Sequence, residues 1–212
     1  MRSSEIWSEL HRLRCELADR IQSLEPEQWE ASSWCTGWRV RDVLAHLVHL
    51  AEATQLSMVR DVLRGGGRPD RALSRIARQL GREPVPDLAG RLRIAAKGRF
   101  HVVGLPPAVT LGEVLVHGAD ALGPFGMSME VPTRDVVPVL DVYRRVGRFA
   151  FHAAPNRGLR LVASDTDWQS GSGPEVRGRA VDLLLLMANR RQALPALDGP
   201  GVATASERWA AA

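Results

Sequence analysis

Apolar residues recur at steps of three and four through Ile6, Trp7, Leu10, Leu13, Leu17 and Ile21, which predicts an amphipathic helix over residues 3–24 with Ser3 or Ser4 as its cap. Pro26 breaks or restarts that pattern, and a loop rich in tryptophan (Trp29, Trp34, Trp38) follows. Thr36-Gly37 reads as the start of a second helix, with Thr36 as its cap, running to about Leu63 where Gly65-Gly66-Gly67 stops it. Pro69-Asp70 opens a third helix with Leu73, Ile76, Ala77 and Leu80 on one side. Arg68, Arg71, Arg75, Arg78 and Arg82 lie on the other. That stripe could face an anion, but the simpler expectation is a solvated helix face. A further helix is predicted from Asp87 to about Val103, and Pro106-Pro107 separates it from an apolar helix through Leu111, Val114, Leu115 and Val116.

The pattern changes after Gly123-Pro124-Phe125-Gly126. A helix of about fifteen residues is expected from Pro132. Short runs follow at Leu159–Ala163, Asp167–Gln169 and Glu175–Arg177, parted by Gly, Pro, Asp and Ser, and they read as strands. Ala180 to Asn189 reads as a buried apolar helix, and the tail from Leu197 as a loop with a last strand or helix. The expected architecture is mainly α with a smaller α+β part. Residues 1–128 form a helical bundle and residues 129–212 a small α+β C-terminal domain.

Composition narrows the function classes. At 212 residues, with 45% hydrophobic and 25% charged residues, the chain has ample material for a core. No apolar run approaches the ~18 residues of a membrane span. The first residues run straight into an amphipathic helix without a signal-peptide apolar core, so a cytoplasmic protein is expected. The basic residues are almost all arginine, Lys97 being the one lysine, which points to a GC-rich coding genome. A net charge of +4 without a recognition motif argues against a nucleic-acid partner. Two cysteines are too few for a disulfide framework. Cys15 reads as a small core residue, and Cys35 as a loop thiol with no dedicated partner in the sequence.

The chemistry concentrates in Thr110–Asp120. Glu113 and His117 stand four apart, so both side chains leave one face of the helix. A carboxylate and an imidazole on one face are two thirds of a common metal site, and catalytic zinc takes three protein ligands and leaves a fourth position open. His46, in Val43-Leu44-Ala45-His46-Leu47-Val48-His49-Leu50, supplies the third ligand if the two helices pack side by side. Each residue also has a plain reading, His46 as a hydrogen-bonded core histidine and the Glu113/His117 pair as surface decoration. A carboxylate among Leu and Val is costly to bury unpaired, however, and a cation or a local arginine would offset that cost. His49 is a candidate fourth ligand or supporting donor. Asp120, three residues after His117, is placed to orient it through its second ring nitrogen. His11, His101 and His152 carry no pattern.

The segment Trp34-Cys35-Thr36-Gly37-Trp38-Arg39-Val40-Arg41-Asp42-Val43-Leu44-Ala45-His46 resembles the approach to the first metal ligand in DinB/YfiT-like proteins, in the branch of the mycothiol-dependent maleylpyruvate isomerase family. Gly112–Asp120, with Pro124 and Gly126 behind it, resembles the family's second signature. Val162–Trp168, Gly173–Gly178 and Gly199–Val202 match in order as well. Ala188-Asn189-Arg190 departs from the pattern, which has Gly before Arg.

The resemblance implies a DinB-like four-helix bundle followed by a small C-terminal α+β unit. It also implies a divalent metal ion, zinc first, held by His46, Glu113 and His117. Mycothiol would be the cosubstrate for conjugation or cis–trans isomerisation of a small electrophilic molecule, in a transferase or isomerase of the maleylpyruvate isomerase type. An actinobacterial source would agree with mycothiol and with the arginine bias. No catalytic residue beyond the metal ligands carries over. The expected partners are the thiol and the electrophile, with no nucleic acid and no membrane, in a monomer or homodimer. Two other classes stay open from the residues: hydrolysis by metal-bound water, and metal or ligand binding without turnover.

Overall fold

Helix α1 (Ser3–Gln22) follows the predicted periodicity, and Leu10, Leu13, Leu17 and Ile21 lose all solvent contact. Its cap is Arg2 rather than a serine, because the Glu5 carboxylate accepts the Arg2 backbone N–H at 2.7 Å. The structure, a computed structural model, describes residues 2–150 and 156–210, so His152 lies outside the described residues. The chain divides into two compact units, Arg2–Glu130 and Val131–Ala212.

In the first unit, α2 (Pro26–Glu30) starts on its proline. The predicted second helix is two helices, α3 (Val40–Glu52) and α4 (Gln55–Arg64). The break has a local cause. Thr54 is extended, and its hydroxyl oxygen accepts the Ser57 N–H while the Ser57 hydroxyl oxygen accepts the Thr54 N–H. That reciprocal cap stabilises a new helix start over continuation. Thr36 is exposed and lies outside the helix; the cap of α3 is Arg39, whose N–H is accepted by Asp42.

Next come α5 (Pro69–Leu80), α6 (Val85–Ile94) and α7 (Ala108–Leu122). Helix α6 stops well before Val103, passing through a 3-10 turn at Ala95–Lys97. Gly98 then runs so close to α3 that a Cβ there would lie 2.5 Å from the Ala51 carbonyl oxygen. Helices α1 and α3 each pack against both α6 and α7, which makes the four-helix bundle, and α5 lies on α3 and α4. Leu44, Leu47, Leu88, Leu92, Leu111 and Leu122 fill its interior. Burial of each such side chain contributes ~1.5–3 kcal/mol.

One charge goes into that core. Arg14 is 1% exposed, and its guanidinium donates to the carbonyls of Ala96 (3.2 Å) and Gly98 (2.8 Å). Burial pulls its pKa down to about 10. The neighbouring Cys15 is half-buried, less enclosed than its reading as a core residue implies.

The second unit is α+β. Helix α8 (Thr133–Ala150) precedes a sheet ordered β2-β1-β3, with β1 (Arg160–Ala163) in the centre. Strand β2 (Gln169–Gly171) is antiparallel to it, and β3 (Glu175–Gly178) is parallel. Strand β2 starts later than the pattern predicts: Asp167 lies in the bend before it, and Trp168 just ahead of the strand donates its Nε1–H to Asp141. Helices α9 (Ala180–Met187) and α10 (Gly201–Ala210) follow. The departure at Ala188-Asn189-Arg190 is absorbed by backbone conformation. Asn189 adopts φ +63°, the left-handed region that glycine enters freely and asparagine tolerates better than most residues. Among the described residues no helix is long and apolar enough to cross a membrane.

Candidate metal centre

Helices α3 and α7 lie side by side in the bundle, so His46 from one and Glu113 and His117 from the other meet. His46 Nε2 is 3.3 Å from Glu113 Oε2, and His117 Nε2 is 3.5 Å from the same oxygen. One ligand atom from each residue lies within 4.8 Å of the others. A tetrahedral ion with ligand bonds of ~2.0–2.1 Å has its ligand atoms ~3.3 Å apart, so the two closest separations fit such an ion with little movement. His46 is 3% exposed, whereas the Glu113 side chain keeps 22% of its surface, so the cluster opens to solvent on the Glu113 side.

The electrostatics depend on burial and on the partners of each group. Burial holds the His46 pKa below the ordinary histidine value, against the pull of Glu113. Burial alone would raise Glu113, but the two imidazoles outweigh it and hold its carboxyl well below the usual range. At His117 burial acts downward, and the bonds to Asp120 and Glu113 win, pushing its pKa up to about 9. Asp120 has no exposed surface, and its Oδ2 lies 2.9 Å from His117 Nδ1. With Nδ1 as the donor to that carboxylate, Nε2 is the nitrogen that faces the cluster.

The structure directs His49 elsewhere. Its Nε2 lies 3.4 Å from Asp61 on α4, outside the cluster. Two neighbours of the imidazoles were invisible to spacing. The Trp38 ring stacks on His117 with centroids 5.6 Å apart and meets His46 edge-on at 5.0 Å. Cys35 forms a second group with His117 and Asp120, again within 4.8 Å of one another. Both sit on a tight loop. Trp38 N–H donates to the Cys35 carbonyl, Ser33 N–H donates to the Trp38 carbonyl, and Gly37 takes φ +78° between them. The loop is docked on the end of α7. Trp34 N–H donates to the Asp120 carbonyl at 3.0 Å, and its ring lies against Gly123, where a Cβ would be 2.3 Å from the nearest ring carbon.

No curated protein gives a significant match. Among solved structures, the crystal structure of the mycothiol-dependent maleylpyruvate isomerase superposes with a TM-score of 0.57 at 14% identity, over 90% of each chain. A histidine-to-alanine mutant of the mycothiol-dependent maleylpyruvate isomerase gives 0.56 at 13% identity, over 94% of this chain and 93% of that one. At such identities the likeness is one of fold, and it extends through both units. Residues 10–122 match the family described as the mycothiol maleylpyruvate isomerase N-terminal domain. Since that match takes in more than half of the chain, including α3, α7 and their three converging side chains, the protein belongs to the mycothiol maleylpyruvate isomerase N-terminal domain family.

Proposed function

We propose that this protein is a metal-dependent enzyme that uses a low-molecular-weight thiol, mycothiol, to conjugate or isomerise a small unsaturated electrophile. The observation that carries the reading is the convergence of His46 Nε2, His117 Nε2 and Glu113 Oε2, with Asp120 behind one imidazole. Two neutral nitrogens and one carboxylate suit zinc and leave a position for an exogenous group. When bound, the ion supplies a Lewis-acidic position that favours the thiolate form of an incoming thiol.

The chain's own residues set the conditions for that chemistry. Asp120 holds His117 in the tautomer that turns Nε2 inward and resists its rotation. His46, kept neutral by burial, offers its nitrogen without losing a proton first. Glu113 brings the single negative charge of the ligand set and lies at the open side. Trp38 covers the imidazoles and keeps water from their faces. The thiolate sulfur bonds to one carbon of the electrophile's double bond, and the π pair moves onto the group that activates it. Uptake of a proton at the neighbouring carbon gives a conjugate; rotation about the new single bond, return of the electron pair and departure of the thiolate give the geometric isomer.

The test is thiol dependence. Turnover of a suitable electrophile should require both the metal and mycothiol, with glutathione a poor replacement. Full turnover by the metal-loaded protein without any thiol would replace this reading with hydrolysis by metal-bound water. Metal binding with no turnover under any thiol would leave a binding protein.

A further inference from the structure

The arginines of α5 are exposed, as the sequence predicts, yet they do not lie on a featureless surface. Arg71, Arg75, Arg78 and Arg82 line a cavity of about 720 Å³ together with Ser74, and Asp70 is its one carboxylate. Its lining comes entirely from residues 70–82, so it is an open cleft along one helix. The residues stand four, three and four apart, so α5 and the turn after it present four guanidinium groups along one side.

Several of the chain's other arginines are held in ion pairs, although Arg64, Arg68 and Arg99 enter none among the described residues. Arg12 is paired with Glu9 and Glu16, Arg39 with Asp42 and Glu30, Arg91 with Glu52 and Glu83, and Arg93 with Asp19. None of the ion pairs among the described residues uses Arg71, Arg75, Arg78 or Arg82. Like charges three and four apart on a helix repel, by ~0.2–0.5 kcal/mol per pair. The helix dipole offsets this for Arg78, near the C-terminal end, but opposes Arg71 in the first turn. Internal pairing does not account for the set.

The cavity is also next to the metal centre. Ser74 accepts the Trp38 Nε1–H at 3.1 Å, and the same indole lies on both imidazoles. At Gly37, a Cβ would lie only 3.1 Å from Arg78 Nη2, so the loop carrying Trp38 runs against the arginine wall.

We propose that this cavity is a binding subsite for a small polyanion, a molecule carrying two or more carboxylate or phosphate groups. Planar guanidinium forks match both groups with paired hydrogen bonds. The line from Arg71 to Arg82 spans ~16 Å of helix, more than one such group can cover. The site requires no metal and no thiol, so its test is independent of the catalytic reading.

Calorimetric titration of the full chain at low ionic strength should show saturable binding of tricarballylate and of inorganic pyrophosphate, and none of acetate. A preference for tricarballylate would assign a carboxylate ligand, and one for pyrophosphate a phosphate ester. Arg75→Gln/Arg78→Gln should weaken binding at least tenfold, with an unchanged circular-dichroism melt because both side chains are exposed. Arg93→Gln, a surface change elsewhere on the bundle, should bind as wild type does. Equal affinity in the double variant and the wild type would overturn the site. So would binding of a DNA oligonucleotide with no saturable binding of either small anion.

Discussion

His117 Nδ1 lies 2.9 Å from a carboxylate oxygen of Asp120, a residue without any exposed surface, and the other nitrogen of the same ring faces Glu113. One imidazole therefore links the prospective ligand set to the interior of the bundle. The buried acid fixes which nitrogen is offered.

If the three converging residues hold an ion, the purified chain carries close to one divalent metal, and His46→Ala or His117→Ala removes it. Glu113→Gln should retain more than Glu113→Ala, since the amide oxygen still ligates without its charge. Elemental analysis is the readout, and equal metal in wild type and His117→Ala would end the assignment.

Asp120→Asn tests the support behind the ligand. The amide keeps the shape and loses the charge that favours the Nδ1–H tautomer, so metal affinity should fall by about 10–100-fold. Competition against a chelator of known affinity measures this. An unchanged affinity would reduce Asp120 to a packing residue.

Metal-free protein should lose stability as the solution turns alkaline. The folded pKa of His117, about 9, lies above its ordinary value of 6.5. The stabilisation from its protonated form is thus complete below about pH 6.5 and is lost as pH rises through about 9. The effect is on the order of 3 kcal/mol, seen as a lower Tm at pH 10 than at pH 6.5. Added zinc should reverse the trend, because His117 must shed its proton to ligate and affinity then rises with pH. A flat metal-free profile would contradict the paired arrangement.

Arg14→Ala should destabilise the first unit by about 3 kcal/mol, because it leaves a cavity and strips the Ala96 and Gly98 carbonyls of their donor. Thermal melts should show the loss, with no change in metal content.

Spacing alone placed Glu113 and His117 on one face, because four residues are one turn wherever a helix packs. The apolar setting of His46 likewise pointed to the bundle interior. What escaped was set by distant partners. Arg14 sits on a helix otherwise read as amphipathic, and nothing local distinguishes it from the exposed Arg12; its carbonyl partners lie more than 80 residues away. Cys35 and Trp38 reach the imidazoles because their loop docks on α7, a tertiary event without periodicity. The break between α3 and α4 was missed for the opposite reason. Ala51-Glu52-Ala53 is good helix sequence, and the interruption comes from two hydroxyl-to-backbone bonds around Thr54.

The contact between Trp34 and Gly123 has a consequence for how the centre can be altered. A single methyl group at position 123 would meet three carbons of the indole ring at 2.3–2.4 Å, so the ring would have to move. Trp34 is covalently followed by the four residues that end in Trp38, and its own N–H is fastened to the turn bearing Asp120. Displacing it would shift the cover over both imidazoles while leaving every prospective ligand in the sequence untouched. Gly123 therefore works as a datum point, one bare α-carbon from which the positions of two rings are set. Variation there could retune the centre without changing its donor atoms.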